Sequence, residues 1–235
     1  MIFLKQIAII FFNLIDKFLH QKKILRFLIK EQIQINTWID VGSHRGHYTD
    51  LIKDNFKIKK GYLFEPQREI YNLIKKKYKN SKNIYPYNYA ISNKKKSEKI
   101  YINKHDLTSS LTKINEENLY LKLKSRLFGG NSLIVKSCKV QTIKLENFIS
   151  KKKLKSVDLL KIDTEGHEYQ VLQGLGKKIN KVKIILIEFH NDKIYKNYNS
   201  KKIHKYLIKK NFDLKTRIKF PFTEWEDRIY LSNKN

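Results

Sequence analysis

"TWIDVGSHRGHY", residues 37–48, decides how the rest of the chain is read. An apolar run stops at Asp40, and two glycines follow, Gly42 and Gly46, with a polar tripeptide between them. This is a strand running into a turn that opens a helix. Gly42 lets the chain leave the strand in a conformation closed to other residues, and Gly46 lets a ligand approach the helix start. The spacing Gly-x-x-x-Gly differs from the Gly-x-Gly-x-x-Gly of dinucleotide binding, which serves a pyrophosphate at a helix N-terminus. A carboxylate at Asp40 would repel a pyrophosphate. It suits a ligand with cationic groups and no phosphate, such as S-adenosylmethionine with its ammonium and sulfonium.

Outward from this turn, strand and helix alternate. Residues 36–41 read as a strand and 47–57 as a helix, with Leu51, Ile52 and Phe56 on one side. A second strand, 59–66, ends at Glu65-Pro66, and a helix over 67–80 spaces Ile70, Leu73, Ile74 and Tyr78 helically. A third strand, 83–92, carries Pro86. The rhythm breaks over about 93–150, which reads as an insertion with strands at 97–105 and 137–145 around a polar loop. Nearly continuous apolar runs at 156–163 and 181–190 fit central parallel strands. Helices at 167–179 and 200–211 follow them, and 212–220 with 226–233 form a closing antiparallel pair. The class is α/β with a doubly wound sheet.

In such sheets ligands bind beyond the carboxyl ends of the strands. Those ends fall at Asp40, Glu65, about Ala90, Asp163 and Glu188, and four of the five carry a carboxylate. Glu65 is placed to accept hydrogen bonds from ribose hydroxyls, and Asn88-Tyr89-Ala90 to border an adenine. The densest end is "LLKIDTEGHE", 159–168. There Asp163 should point into the cleft, while Glu165 and Glu168 also suit the positive N-terminus of the next helix. Alternation places Glu188 and His190 on one side of their strand, with Asp192 beyond.

These motifs together resemble the FkbM family of S-adenosylmethionine-dependent methyltransferases. The resemblance rests on "IDVGSHRGHYT" (39–49), "LFEP" (63–66), "NYAIS" (88–92), "SSL" (109–111), "VQTIKLENFI" (140–149), "DLLKIDTEGHEYQVLQG" (158–174) and "ILIEFH" (185–190). It implies a Rossmann-like class I methyltransferase fold: a mostly parallel seven-stranded sheet, a closing antiparallel hairpin, and helices on both faces. It also implies methyl transfer to an oxygen of a natural product or of a sugar in a surface polysaccharide. Matched to the family, Asp40, Gly42, Ser43, Gly46 and Glu65 form the cofactor set, with Asn88 and Ala90 beside the adenine. Asp163 and Glu165 match the acidic motif after the fourth strand. Two departures stand out: "LENF" replaces a commoner acid-rich pair, and His44-Arg45 occupy the turn where small residues are usual.

A hydroxyl acceptor needs a base or a metal. His190 is the candidate base, and Asp163 a base or an orienting group, so the catalytic set is Asp163, Glu165 and His190. Asp163 and Glu188 offer oxygens that suit a divalent cation. Ser109 and Ser110 can hydrogen-bond acceptor or cofactor, or form an ordinary serine turn.

The net charge of +28 raises a different partner, nucleic acid. Only six of the 50 basic residues are Arg, the better bidentate reader of phosphates and bases. Lys, Ile, Asn, Tyr and Phe are all abundant and share AT-rich codons, so a solvated lysine surface accounts for the charge. The strand end reads "DTEG" rather than the Asn/Asp-Pro-Pro-Tyr of amino-methylating enzymes. An RNA methyltransferase therefore stands as the alternative to one acting on a small molecule or glycan. Lysines also suit an anionic membrane surface.

Cys138 is alone, which excludes a disulfide framework and a zinc pattern and fits a cytoplasmic protein. Residues 1–35 read as an N-terminal helical extension to a domain over 36–235. The longest apolar stretch of the extension, Ile7–Phe12, falls short of the roughly 18 residues of a spanning helix. No small-residue cleavage site follows it. Its apolar face either docks on the domain or lies peripherally on the inner face of a membrane; a membrane-surface-associated, cofactor-binding protein without catalysis is the remaining alternative.

Overall fold

The structure is a computed structural model, and it describes residues 20–103, 109–113, 115, 134–191, 194–221 and 224–233. In chain order the elements are helix α1 (Gln21–Lys30), β1 (Thr37–Val41), α2 (His47–Asn55), β2 (Lys60–Phe64), α3 (Arg68–Lys77), β3 (Ile84–Tyr87) and β4 (Ala90–Ile91). Then come β5 (Ser97–Asn103), β6 (Ile134–Ile143), α4 (Leu145–Lys151), β7 (Val157–Ile162) and α5 (Glu168–Gly174). A 3-10 segment (Gly176–Lys181) leads to β8 (Val182–His190), α6 (Ser200–Lys209), β9 (Phe212–Lys219) and β10 (Trp225–Ser232).

Seven strands form one sheet in the order β3-β2-β1-β7-β8-β10-β9. Pairing is parallel from β3 to β8, and β10 is antiparallel to both β8 and β9. The order reverses direction between β1 and β7, so the switch point lies where their carboxyl ends meet. All six residues of β7 are buried, as expected of a central strand covered on both faces.

Strand alternation divides the core into two layers. Ile39, Phe64, Leu160, Ile185 and Phe189 face Leu145 and Phe148 of α4, Val171 and Leu172 of α5, and Leu207 of α6. Trp38, Leu63, Leu159, Leu186 and Ile229 face the other way, against Ile24 and Leu28 of α1, Ile52 of α2 and Ile74 of α3. Asn199 caps α6 by accepting a hydrogen bond from the Lys202 amide.

Three elements differ from the sequence expectation. The single strand over 83–92 is two strands in two sheets. β3 closes the edge of the main sheet, and β4 pairs with β6 in a three-stranded sheet, order β4-β6-β5. Asn88 makes the break, donating from Nδ2 to the carbonyls of Glu65 and Pro66, 2.9 Å each. The insertion does form strands β5 and β6, but its last residues are the core helix α4. There Leu145, Phe148 and Ile149 recur at helical spacing and are buried. The helix over 167–179 stops at Gly174, where an added Cβ would sit 2.3 Å from the Ser92 carbonyl oxygen.

Of the N-terminal extension, residues 1–19 lie outside the described residues. Its described helix, α1, buries Ile24 and Leu28 completely on the domain. No helix among the described residues is long and apolar enough to cross a membrane.

Candidate active site

The turn after β1 is held by its neighbours on both sides. The amides of Gly42 and Ser43 donate to the Phe64 carbonyl at 3.0 and 3.1 Å, and the Asp163 amide donates to the Val41 carbonyl at 3.0 Å. The ends of β1, β2 and β7 are thereby locked together. Gly42 has φ +82°, which favours glycine. Gly46, at φ +74°, is needed for packing: a Cβ there would meet the Tyr78 hydroxyl at 2.6 Å.

Over this junction lies an open cleft. Phe64, Ala90, Ile91, Ile100 and Leu111 form its apolar walls, and Gly42, Glu65, Asp163, Thr164, Glu165 and His167 its polar edge. Among the described residues no Lys or Arg lines it, in a chain of net charge +28. Glu65 is 3% exposed, and its two oxygens accept one amide each, from His44 (3.0 Å) and Gln67 (2.8 Å). Burial pushes its carboxyl up to about 7, against those two hydrogen bonds.

Four of the expected cofactor residues stand behind this surface rather than on it. Asp40 is fully buried at the end of a chain in which Trp38 Nε1 donates to Thr49 Oγ1 (3.1 Å) and Thr49 Oγ1 donates to Asp40 Oδ2 (2.9 Å). Its side chain points away from the cleft because it shares the Trp38 side of β1, and burial raises its carboxyl. Ser43 and Gly46 shape the turn, and Asn88 ties the Glu65-Pro66 carbonyls to the β3–β4 break. Gly42, Glu65 and Ala90 do line the cleft.

At the ends of β7 and β8 the acids converge. Lys161 is 3% exposed, and its ammonium donates to Asp163 Oδ2 at 2.7 Å while lying 4.4 Å over the Tyr48 ring. Burial opposes that charge, but Asp163 and Asp40 hold it above the usual lysine range. Burial would likewise raise Asp163. The Lys161 pair, with a hydrogen bond from Glu188, outweighs it and keeps Asp163 below the usual carboxylate range.

Glu165 and Glu188 go the other way. Both are driven well above the ordinary value by burial first, then by neighbouring carboxylates: Glu188 acts on Glu165, and Asp163 with Asp227 on Glu188. Glu165 sits in the left-handed region at φ +54°. The Tyr195 hydroxyl donates to its Oε2, and Ser110 Oγ to its carbonyl. His190 Nε2 lies 3.0 Å from Glu188 Oε2 and 3.9 Å from Glu165 Oε2. Its ring is 2% exposed, edge-on to Tyr195, Tyr198 and Trp225, and it does not line the cleft. Donor atoms of Glu165, Glu188 and His190 all fall within 4.8 Å of one another. The sequence offered Asp163 and Glu188 for a cation; the three residues whose donor atoms converge are Glu165, Glu188 and His190.

Glu168 is a loop brace: its Oε1 accepts from the amides of Thr164 (3.0 Å) and Gly166 (3.1 Å) and from Thr164 Oγ1 (3.1 Å). Ser109 lines the cleft with a buried hydroxyl that has no hydrogen-bond partner. Asp192 lies outside the described residues. Two residues were not legible as site members. His167 lines the cleft 2.9 Å from Ser92 Oγ, and burial lowers its imidazole to about 4. Tyr195 gave no signal beyond being an aromatic in a polar stretch.

The reversal of strand order at β1 and β7, the reversed strand β10 and the phosphate-averse cleft define a class I methyltransferase domain. The chain belongs to the FkbM methyltransferase family: the family model described as "Methyltransferase FkbM domain" matches residues 40–214. The methyl donor is S-adenosylmethionine. Comparison with curated proteins finds no match. Among solved structures, the chain is similar to methyltransferase FkbM from Methylobacillus flagellatus KT, with TM-score 0.53 and 13% identity over 84% of this chain. It spans 43% of the length of that protein. It is also similar to Streptococcus pneumoniae Sp1610, named provisionally as a tRNA (m1A22) methyltransferase and solved with S-adenosyl-L-methionine. There the TM-score is 0.50 and identity 11%, over 91% of this chain and 73% of that one.

The cleft fits that cofactor. Gly42 presents bare backbone, Glu65 keeps lone pairs for ribose hydroxyls, and the apolar wall at Ala90 and Ile91 suits a purine. The carboxyl oxygens of the rim can accept hydrogen bonds from an ammonium, and the described lining offers a phosphate no Lys or Arg.

Proposed function

We propose that this chain methylates a hydroxyl oxygen of a sugar or a glycan-like small molecule. Gly42, Glu65 and Ala90 hold the cofactor, which when bound supplies an activated methyl group. The protein must then align the acceptor and remove its proton. Asp163 is the group for the proton, because it lines the cleft and Lys161 keeps it a carboxylate. In the transfer, the acceptor O–C bond forms as the sulfur–methyl bond breaks. The hydroxyl proton passes to Asp163, leaving a methyl ether and S-adenosylhomocysteine. Glu165 stands beside it on the rim, and His190 is buried behind them.

The observation that carries this reading is the make-up of the cleft lining. Among the described residues its rim holds Glu65, Asp163 and Glu165 and no Lys or Arg. A polyol tolerates such a rim, and a nucleic-acid backbone does not. The experiment is mass spectrometry of surface polysaccharide and RNA from cells with and without the gene. A sugar lighter by one CH2 in the deleted strain is the expected result. A missing methyl on an RNA nucleoside, with unchanged sugars, would move the activity to RNA.

A further inference from the structure

We propose that Glu165, Glu188 and His190 bind a divalent first-row cation, of the Mn²⁺ kind, behind the rim of the cleft. The three residues come from two strand ends, and each offers one donor atom within 4.8 Å of the others. Two carboxylate oxygens and one imidazole nitrogen form a mixed set that suits Mn²⁺ and its neighbours.

His190 supplies the independent observation. It is 2% exposed, and neither Nδ1 nor Nε2 has a hydrogen-bond partner. Buried polar side chains are rarely left so, because the lost hydration is uncompensated. Glu188 Oε2 is equally without a hydrogen bond, although His190 Nε2 is 3.0 Å away. The contact is close but not in hydrogen-bond geometry, and an ion bridging the two atoms would use both.

The surroundings support the same assignment. Asp163, Glu165, Glu168 and Glu188 crowd this corner, and the ammonium that reaches it, Lys161, bonds Asp163. A dication offsets the excess of carboxylates. Tyr195 holds Glu165 from behind, as an outer group orients a metal ligand. Glu165 and Asp163 both reach the cleft wall, so open coordination positions would face the acceptor. Resting on the hydroxyl-methylation reading, the ion would make a bound hydroxyl next to Asp163 more acidic. An acceptor with two adjacent hydroxyls, as in a sugar diol, would chelate it.

The test is calorimetric titration of the chelator-stripped full chain with Mn²⁺, alongside the electron paramagnetic signal of free Mn²⁺. One ion per chain is expected. Glu188→Gln and His190→Gln should each weaken it by about tenfold or more, with circular dichroism and cofactor affinity unchanged. If His190→Gln does not fold, Glu188→Gln decides alone. No binding by the wild type, or binding equal in the folded variants, overturns the site. Hydroxyl methylation that persists in chelator, with no Mn²⁺ bound, removes the metal site and leaves the proposed activity. Mn²⁺ bound by the wild type and lost in the variants keeps the site, even if no hydroxyl acceptor is ever methylated.

Discussion

A Cβ placed on Gly42 would lie 1.7 Å from the carbonyl oxygen of Asp163. The first motif of the domain and its acidic motif, more than a hundred residues apart in the chain, therefore touch backbone to backbone. The glycine turn is shaped as much by the strand beside it as by any ligand above it.

That contact predicts the effect of Gly42→Ala. The new methyl group meets rigid backbone, and the residue must also hold φ +82°. Left-handed strain and overpacking together should cost roughly 2–4 kcal/mol. Urea denaturation of the variant would read the loss, and cofactor binding should fall with it.

Glu65 gives a pH dependence whose sign can be worked out. Its carboxyl is held at about 7 in the folded protein against an ordinary 4.5, because burial disfavours the charged form. The folded chain therefore keeps a proton that the unfolded chain loses, and its contribution to stability falls as pH rises from about 4.5 through about 7. In the proposed cofactor placement ribose hydroxyls donate to the Glu65 carboxylate, so cofactor binding should run oppositely and tighten as pH rises. Calorimetry at pH 6 and pH 8 should show up to about a tenfold difference in Kd. Glu65→Gln should flatten that difference.

Asp163→Asn tests the proton acceptor. The amide keeps the shape and cannot take the proton, so turnover should fall by about 10²- to 10⁴-fold. Cofactor affinity should change little, since Glu65 and Gly42 are untouched. Turnover surviving at near wild-type level would remove Asp163 from the chemistry.

Lys161→Met isolates what keeps that corner together. Lys161 is buried between Asp40 and Asp163, and an apolar replacement leaves Asp163 without its partner. Removing one member of a buried ion pair typically costs about 3–5 kcal/mol. Thermal or urea unfolding should show a loss of that order.

Much of this was legible in the chain because strand ends advertise themselves. "SVDLLKID" and "KVKIILIEFH" are mostly apolar and end in polar groups, so Asp163, Glu188 and His190 could be set at one edge from the sequence alone. Periodicity also placed Glu188 and His190 together, and their side chains lie 3.0 Å apart. It could not show that Asp40 turns inward. That depends on which face of β1 the sheet gives to Thr49, a matter of tertiary packing. Nor could it find Tyr195, which reaches Glu165 from a loop 30 residues away. The division of 83–92 between two sheets was hidden for a similar reason, since Asn88 bonds carbonyls more than twenty residues earlier.

Helix α1 is attached to the domain through one face. An amphipathic helix rich in Ile, Leu and Lys would serve equally on a membrane or on a protein, and the described residues favour the protein. Leu28 is completely buried against the α2 and α3 side of the sheet, and neighbouring Ile29 is 53% exposed. Leu28→Ala should therefore cost about 2–5 kcal/mol, as truncation of a buried leucine does. Ile29→Ala should stay within about 0.5 kcal/mol, as surface changes usually do. Urea unfolding of the two variants separates the cases. Equal and negligible effects would mean that α1 does not belong to the folded domain in solution, and liposome flotation of the full chain would then show whether its apolar face goes to lipid.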